Sequence, residues 1–391
     1  MTIRLARAES PLVSIVMVTY GAWELTQTAL SAVADHTDEP YEVVVVDNAS
    51  PDDTATRLAE IDGAHVIMNS DNRGFGDATN QGAAAARGRN LVFLNSDAYV
   101  HPGWLAPLLE TLAGDDSAAA VVGRLLNVDG TLQQAGALLA RDGTVAPYGM
   151  GDDPERPSYR FRRRLDFGAA ACMLVRRQAW DAAGGFDAIY SPAYFEDVDV
   201  CLKWADLGWS VVYDPRSVAT HVAFGSGGAS AALELYERSR TTFLSRWADR
   251  LDGRPATLVD ADERTRIAAR DFPASGRVLV CDDDPLGPAA RVVGDLIAAN
   301  PRLHVAWWAG APPSDAWLDR GVELVDERGA GWLHDRRYHY DAVVAGAIAS
   351  DDVTRAIDAT QPQAVRATVA ELDGPGDMAT TLARWGIAPP A

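Results

Sequence analysis

Short apolar runs alternate with helix-patterned stretches along the first hundred residues. LVSIVMVTY (12–20), YEVVVVDNAS (41–50), AHVIMN (64–69) and NLVFLNSDAYV (90–100) are nearly continuous hydrophobic segments. That pattern predicts strands buried on both faces of a sheet, the last with an acidic exit. Between them, ELTQTALSAVADH (24–36) and GFGDATNQGAAAARG (74–88) read as helices. SPDDT opens another, with Ser50 as its cap, Pro51 in its first turn, and Asp52 and Asp53 near its positive end. Such β-α-β-α-β alternation predicts a parallel sheet covered by helices on both faces.

From about Ala118 the alternation weakens, and 118–221 reads as a mixed-sheet region whose loops lie over the mouth of the first half. The amphipathic stretch SAALELYERSRTTFLSRWADRL (230–251) predicts a helix that closes the domain near Leu251. A second β-α-β pattern starts at RVLVCDDDPLGPAARVVGDLIAANPRLHVAWWAG (277–310) and continues through VELVDE and YDAVVAGAIA. No G-x-G-x-x-G follows its first strand, so nothing there supports dinucleotide binding. The expected division is a tail (1–10), an α/β domain (11–251), a partly helical linker (252–274) and a smaller Rossmann-like α/β domain (275–391).

Composition narrows the classes. The chain has 391 residues, 48% hydrophobic and 23% charged, an ordinary globular balance long enough for two or three domains. Its net charge of −20 argues against nucleic acid and against strong attachment to an anionic membrane. Cys172, Cys201 and Cys281 are odd in number and widely spaced, so neither a disulfide framework nor a cysteine metal site follows. MTIRLARAESP lacks the apolar core of a signal peptide, and no run reaches the ~18 apolar residues of a membrane span. The expectation is a cytoplasmic protein, soluble or peripherally attached to the inner face of the plasma membrane.

Candidate chemistry gathers at strand exits and in one acidic segment. Asp47 and Asp97 each lie at the carboxyl end of an apolar run, where open α/β sheets bind ligands. Between them, Gly74 and Gly76 allow close backbone approach, and Arg73 has the geometry to pair with a phosphate. YFEDVDVCLKW (194–204) sets Glu196, Asp197 and Asp199 among aromatic and apolar neighbours, although charged carboxylates are costly to desolvate. A helix starting near Glu196 with acidic residues in its first turn accounts for Asp199 but leaves the segments around it unexplained.

Those segments carry a resemblance. In order, SIVMVTY, EVVVVDNASPDDT, NSDNRGFGDATNQG, LVFLNSDAYV, LDFGAAACMLVRR, AGGFDAIYSPAYFEDVDVCLKWADLGW and VATHVAFGSGG resemble the bacterial glycosyltransferases of family 2 over residues 11–250. The pattern is most similar to the rhamnosyltransferase-like branch, whose members build cell-surface polysaccharides or decorate small molecules. The resemblance implies a GT-A nucleotide-sugar-binding fold: a mixed, mainly parallel sheet with helices on both faces. It implies a dTDP-, UDP- or GDP-linked donor, a glycan, lipid-linked or small-molecule acceptor, and a divalent cation, Mg²⁺ or Mn²⁺.

Roles follow from the same resemblance. Thr19 and Asp47 hold the nucleotide, Asp47 receiving the base N–H, while Arg73, Gly74 and Asn80 line the nucleotide-sugar site. NSD stands at the D-x-D metal motif, with Asn95 in the first acidic position and Asp97 as a metal ligand; His221 is a further ligand. Asp197 is the catalytic base of an inverting transfer, and Glu196 positions hydroxyl groups. Gly168 and Ala169 border donor sugar and acceptor, and Cys172 beside them reads as a packed side chain.

Several alternatives stand beside this reading. dTDP-rhamnose is the favoured donor, and UDP-hexose or UDP-galactofuranose the second. A noncatalytic carbohydrate-binding scaffold is disfavoured by Asp97, Asp197 and His221 occurring together, and a hydride-transfer enzyme by the missing glycine fingerprint. RFRRRLDF (160–167) is either a solvated loop or a clamp for a pyrophosphate-linked lipid acceptor or its membrane. For 275–391 the readings are docking, homodimer formation and acceptor presentation.

Overall fold

The computed structural model describes residues 3–222, 229–282, 284, 286–308, 314–325, 330–346, 351–374 and 377–387. The AFGSGG end of the last signature therefore lies outside the described residues. Two compact units form: Met1–Pro154 with Leu165–Thr257, and Glu155–Arg164 with Leu258–Ala391.

In the first unit, strands β1 (Val13–Thr19), β2 (Tyr41–Asp47), β3 (Ala64–Met68) and β4 (Asn90–Leu94) are parallel in the order β4-β1-β2-β3. Val43 to Val46 are all fully buried, which is why their run shows no polar alternation. Helices α1 (Trp23–His36), α2 (Thr54–Leu58) and α3 (Phe75–Ala85) connect them. The predicted Ser50 cap is not made. The helix begins only at Thr54, whose N–H is taken by Asp52 Oδ1, while the Ser50 hydroxyl accepts the Gly21 N–H at 2.7 Å. A tertiary partner displaced the local one.

The mixed region follows as β5 (Ala98–Val100), α4 (Leu105–Gly114), β6 (Ala118–Leu126), β7 (Leu132–Gln134) and a hairpin, β8 (Ala137–Leu139) with β9 (Val145–Pro147). Then come β10 (Cys172–Arg176), α5 (Arg177–Ala183), α6 (Glu196–Asp206), β11 (Ser210–His221) and α7 (Ala229–Trp247). β10 inserts antiparallel between β4 and β6, extending the sheet to β11-β6-β10-β4-β1-β2-β3. β11 also pairs antiparallel with β5, His221 lying opposite Ala98. The carboxyl end of β11 thus meets the NSD segment.

The second unit holds α8 (Glu263–Arg270), β12 (Gly276–Cys281), α9 (Pro288–Ala299), β13 (Leu303–Trp308), β14 (Val322–Val325), β15 (Ala342–Ala345) and β16 (Val365–Thr368). All its described strands are parallel, in the order β14-β13-β12-β15-β16, a doubly wound arrangement. The arginine-rich part of 160–167, up to Arg164, is built into this unit. Phe161 is fully buried in its core, Arg162 N–H bonds the Leu318 carbonyl at 3.1 Å, and Arg160 pairs with Asp315 at 2.9 Å. Arg163 is also buried, so the solvated-loop reading of 160–167 does not hold. The linker divides as well: Arg254 belongs to the first unit through a buried ion pair with Asp166 at 2.7 Å, whereas α8 belongs to the second.

Candidate active site

The site is built around the start of α6. Tyr194 (φ 75°) and Phe195 (φ 72°) both take the left-handed backbone region, costly for aromatic residues and found where packing over-determines it. Here Phe195 packs on Tyr236 and Phe243 of α7, with ring centroids 5.1 and 5.0 Å away. One turn on, Asp199 is completely buried; it accepts from Tyr190 Oη at 3.1 Å and Trp247 Nε1 at 2.8 Å, and pairs with Lys203 at 2.9 Å. The third acid of the cluster therefore ties α6 to α7. Glu196 and Asp197 are left facing a cavity of about 220 Å³, whose other walls include Ala169, Phe167, Tyr194 and Tyr236.

These two carboxyls are held without cations. Among the described residues, no arginine, lysine or histidine is in ion-pair contact with either. Asp197 accepts only backbone N–H groups: Val198 at 2.9 Å and, more weakly, Ala170 at 3.4 Å. Glu196 is buried, and its Oε2 has no hydrogen-bond partner. Burial raises the proton affinity of both acids above the ordinary carboxylate range, and the charge of Asp197 raises Glu196 further. Cys172 behaves as read: it is buried, and burial pushes its thiol up to about 12, far from a thiolate.

Asp47 lies opposite Thr19 at the ends of β2 and β1. Its Oδ2 accepts the Ser50 N–H at 3.3 Å, while its buried Oδ1 has no partner, a preformed acceptor for a ligand N–H. Thr19 differs: its hydroxyl is engaged by Thr26 at 2.8 Å and the Gly21 carbonyl at 3.2 Å. Gly74 sits at φ 83°, where a Cβ would stand 2.8 Å from the Pro192 backbone. Asn48, absent from the expectations, shapes this loop by accepting the Arg73 N–H at 3.0 Å and donating to the Gly74 carbonyl at 3.2 Å. Its only signal was its place directly after a strand-end aspartate. Arg73 is exposed, whereas Asn80 uses both ends of its amide on the Phe186 backbone.

At the β5–β11 junction, Asp97 Oδ1 stands 3.2 Å from His221 Nε2, and Asn95 Nδ2 is 3.3 Å from the same nitrogen. Two adjacent ligands of an octahedral ion with bonds of about 2.1 Å stand about 3 Å apart, so this pair fits a divalent cation. Gln133 buttresses His221 and was also missed; no feature of TLQQAG singles it out. Asn95 N–H bonds the Ala171 carbonyl at 3.0 Å, and Ala170 next to it faces Asp197, which joins the junction to the acidic cavity. Gly168 serves packing, since a Cβ there would meet Val122 at 2.5 Å. In the second unit, Asp271, His304 and His339 also bring ligand-type atoms within 4.8 Å, but Arg270 already grips Asp271 through both carboxylate oxygens.

Residues 14–182 match the model of Glycosyl transferase family 2. Over 242 residues the chain is 27% identical to the uncharacterized protein y4gI of Sinorhizobium fredii, covering 59% of this chain and 26% of that protein. Over 262 residues it is 27% identical to the N-acetylglucosaminyl-diphospho-decaprenol L-rhamnosyltransferase of Mycobacterium tuberculosis strain H37Rv, covering 61% of this chain and 85% of that enzyme. The chain thus spans about a quarter of the first relative and most of the second. The crystal structure of GalNAc-T7 with UDP, GalNAc and Mn²⁺ shares the fold at a TM-score of 0.50 and 18% identity, over 62% of this chain and 50% of that one.

Proposed function

We propose, from the match of residues 14–182 to the model of Glycosyl transferase family 2, an inverting, divalent-cation-dependent sugar transfer. In this reading the donor is a nucleotide-diphosphate sugar, dTDP-rhamnose by preference, and the acceptor is a hydroxyl of a glycan, a lipid-linked sugar or a small molecule. The observation that carries it is the pair Glu196–Asp197, the first buried and the second half-buried, set without a cation on the wall of a cavity. The rhamnosyltransferase named among the relatives supports the choice of sugar.

Asp197 takes the proton from the acceptor hydroxyl as its oxygen attacks the anomeric carbon. A carboxylate whose proton affinity is raised by burial is the stronger base for that step. Glu196 holds a hydroxyl beside it. Attack from the face opposite the nucleotide, in one displacement, inverts the anomeric configuration. Asp47 Oδ1 accepts the base N–H, and Arg73 and the Gly74 turn receive the diphosphate. Asp97 and His221 hold the cation, which when bound supplies positive charge to the leaving diphosphate. No helix among the described residues is long and apolar enough to cross a membrane. A place at the inner membrane face, in the cytoplasm, belongs to the same proposal.

The test is a donor panel of dTDP-rhamnose, UDP-glucose, UDP-galactofuranose and GDP-mannose with Mg²⁺ or Mn²⁺, read as donor turnover. We expect dTDP-rhamnose to be used and excess chelator to abolish turnover. Turnover of UDP sugars alone would replace the donor, and full activity in chelator would remove the cation.

A further inference from the structure

Gln133 is almost completely buried and touches His221 twice. Its Oε1 lies 2.7 Å from Nδ1 of the ring, and its Nε2 donates to the His221 carbonyl at 2.8 Å. Which end of the amide faces the ring is settled by its neighbours. Gln133 Nε2 also meets Asn127 Oδ1 at 3.2 Å, so that end faces two acceptors and must be the NH₂. The Asn127 amide is oriented in turn, because its own NH₂ donates to the Leu132 carbonyl at 3.1 Å. Two backbone carbonyls, of Leu132 and His221, therefore fix two amides, and those amides present an oxygen to the imidazole.

An amide oxygen only accepts, so the neutral ring must carry its proton on Nδ1. Nε2 is left with a lone pair directed at the junction, 3.2 Å from Asp97 Oδ1. Two acceptors facing each other at that distance need a positive charge between them. Asn95 donates to Nε2 only at a long 3.3 Å. The reading that Asp97 and His221 hold a divalent cation supplies that charge, and the following inference rests on it. We propose that Gln133 is a positioning residue that locks His221 in the Nδ1–H tautomer and so turns Nε2 into a cation ligand. A partner on the far nitrogen of a ligating histidine commonly sets both ring orientation and ligand strength.

Two measurements on the full chain test this. Long-range ¹H–¹⁵N NMR at pH 8, with His221 assigned by its loss in His221→Asn, reads the tautomer in the metal-free protein. The expected state is Nδ1–H; an Nε2–H ring in the unsubstituted chain overturns the proposal without any variant having to fold. Mn²⁺ titration followed by EPR reads affinity. Gln133→Met keeps the length of the side chain and removes the acceptor. It should weaken Mn²⁺ binding about 10- to 100-fold and release the ring to mixed tautomers. If the unsubstituted chain binds Mn²⁺ and Gln133→Met binds it equally well, Gln133 has no such role. If the unsubstituted chain binds no Mn²⁺, the cation reading itself falls and takes this inference with it.

Discussion

Glu196 with the half-buried Asp197 in the first unit, and the buried Asp271 with Glu323 in the second, are pairs of acids whose proton affinities move in opposite directions. In the second unit Arg270 reaches Asp271 at 2.6 and 2.7 Å and Glu323 at 3.1 and 2.8 Å, and Arg336 adds a contact to Glu323 at 3.2 Å. The guanidinium charges hold both acids well below the usual carboxylate range in spite of burial. His339 closes the network on Asp271 at 2.9 Å. In the first unit burial acts on Glu196 and Asp197 with only N–H groups to oppose it, and both rise. Burial with a cation makes a carboxylate part of the scaffold; burial without one leaves it basic and available for chemistry. Asp199, a few residues from Asp197, falls on the scaffold side of that line through Lys203 and Trp247.

The largest expected effect separates the two pairs directly. Asp197→Asn keeps the shape of the cavity but cannot take the acceptor's proton, so turnover should fall by roughly two to four orders of magnitude. Donor affinity should stay unchanged, and the product of the unsubstituted enzyme should show inverted anomeric configuration by NMR. Near-normal turnover, or retention, would remove Asp197 as base.

Arg270→Met should produce the converse. It removes the guanidinium shared by two buried carboxylates, leaving Glu323 to Arg336 and Asp271 to His339, and breaking such a buried pair typically costs about 3–5 kcal/mol. Hydrogen exchange should show lost protection in the second unit; unaltered protection would mean that the arginine is not what makes burial of those acids tolerable.

Asp47→Ala removes an acceptor whose Oδ1 has no partner of its own. Loss of a charge-assisted bond worth about 1.5–3 kcal/mol should weaken nucleotide binding roughly ten- to hundredfold, with thermal stability little changed. Calorimetry giving equal affinity would take Asp47 out of the site.

Acid should sharpen the contrast with a smaller, graded effect. Groups with raised folded-state affinity, Glu196 and Asp197, add stability below their unfolded values and lose it as pH rises through the folded ones. Asp271 and Glu323 do the reverse, since their contribution is present above the unfolded values and lost as pH falls toward the folded ones. His339, pushed down to about 4 by burial, makes the second unit lose stability as pH falls from about 6.5 toward 4. Acidification in that window, followed by hydrogen exchange, should open the second unit first. Earlier opening of the first unit would contradict the assignment.

Much of the first unit was readable from runs such as EVVVV, because strands buried on both faces have to be apolar throughout. The start of α6 at Glu196 and the closing helix near Leu251 followed from local pattern as well. Ser50 was misread as a cap because its hydroxyl bonds Gly21, which lies 29 residues away in the chain. Asn48 and Gln133 escaped notice for a related reason. An amide carries no local signal of its task; only the groups it meets across the sheet define it.

The sequence by itself determined the element types, the presence of a second α/β pattern, and which residue kinds gather at strand exits, since these depend on hydrophobic period and turn chemistry over a few neighbours. Tertiary structure decided which acid meets a cation. Asp199 and Asp197 are two positions apart in one acidic run, yet only Asp199 lies within reach of Lys203 and Trp247. It also decided that Phe161 and Arg160, within a charged stretch of the first half, complete the core and surface of the second unit. Charge pairing and core filling are set by distances of a few ångströms between residues far apart in the chain, and sequence spacing does not encode those distances.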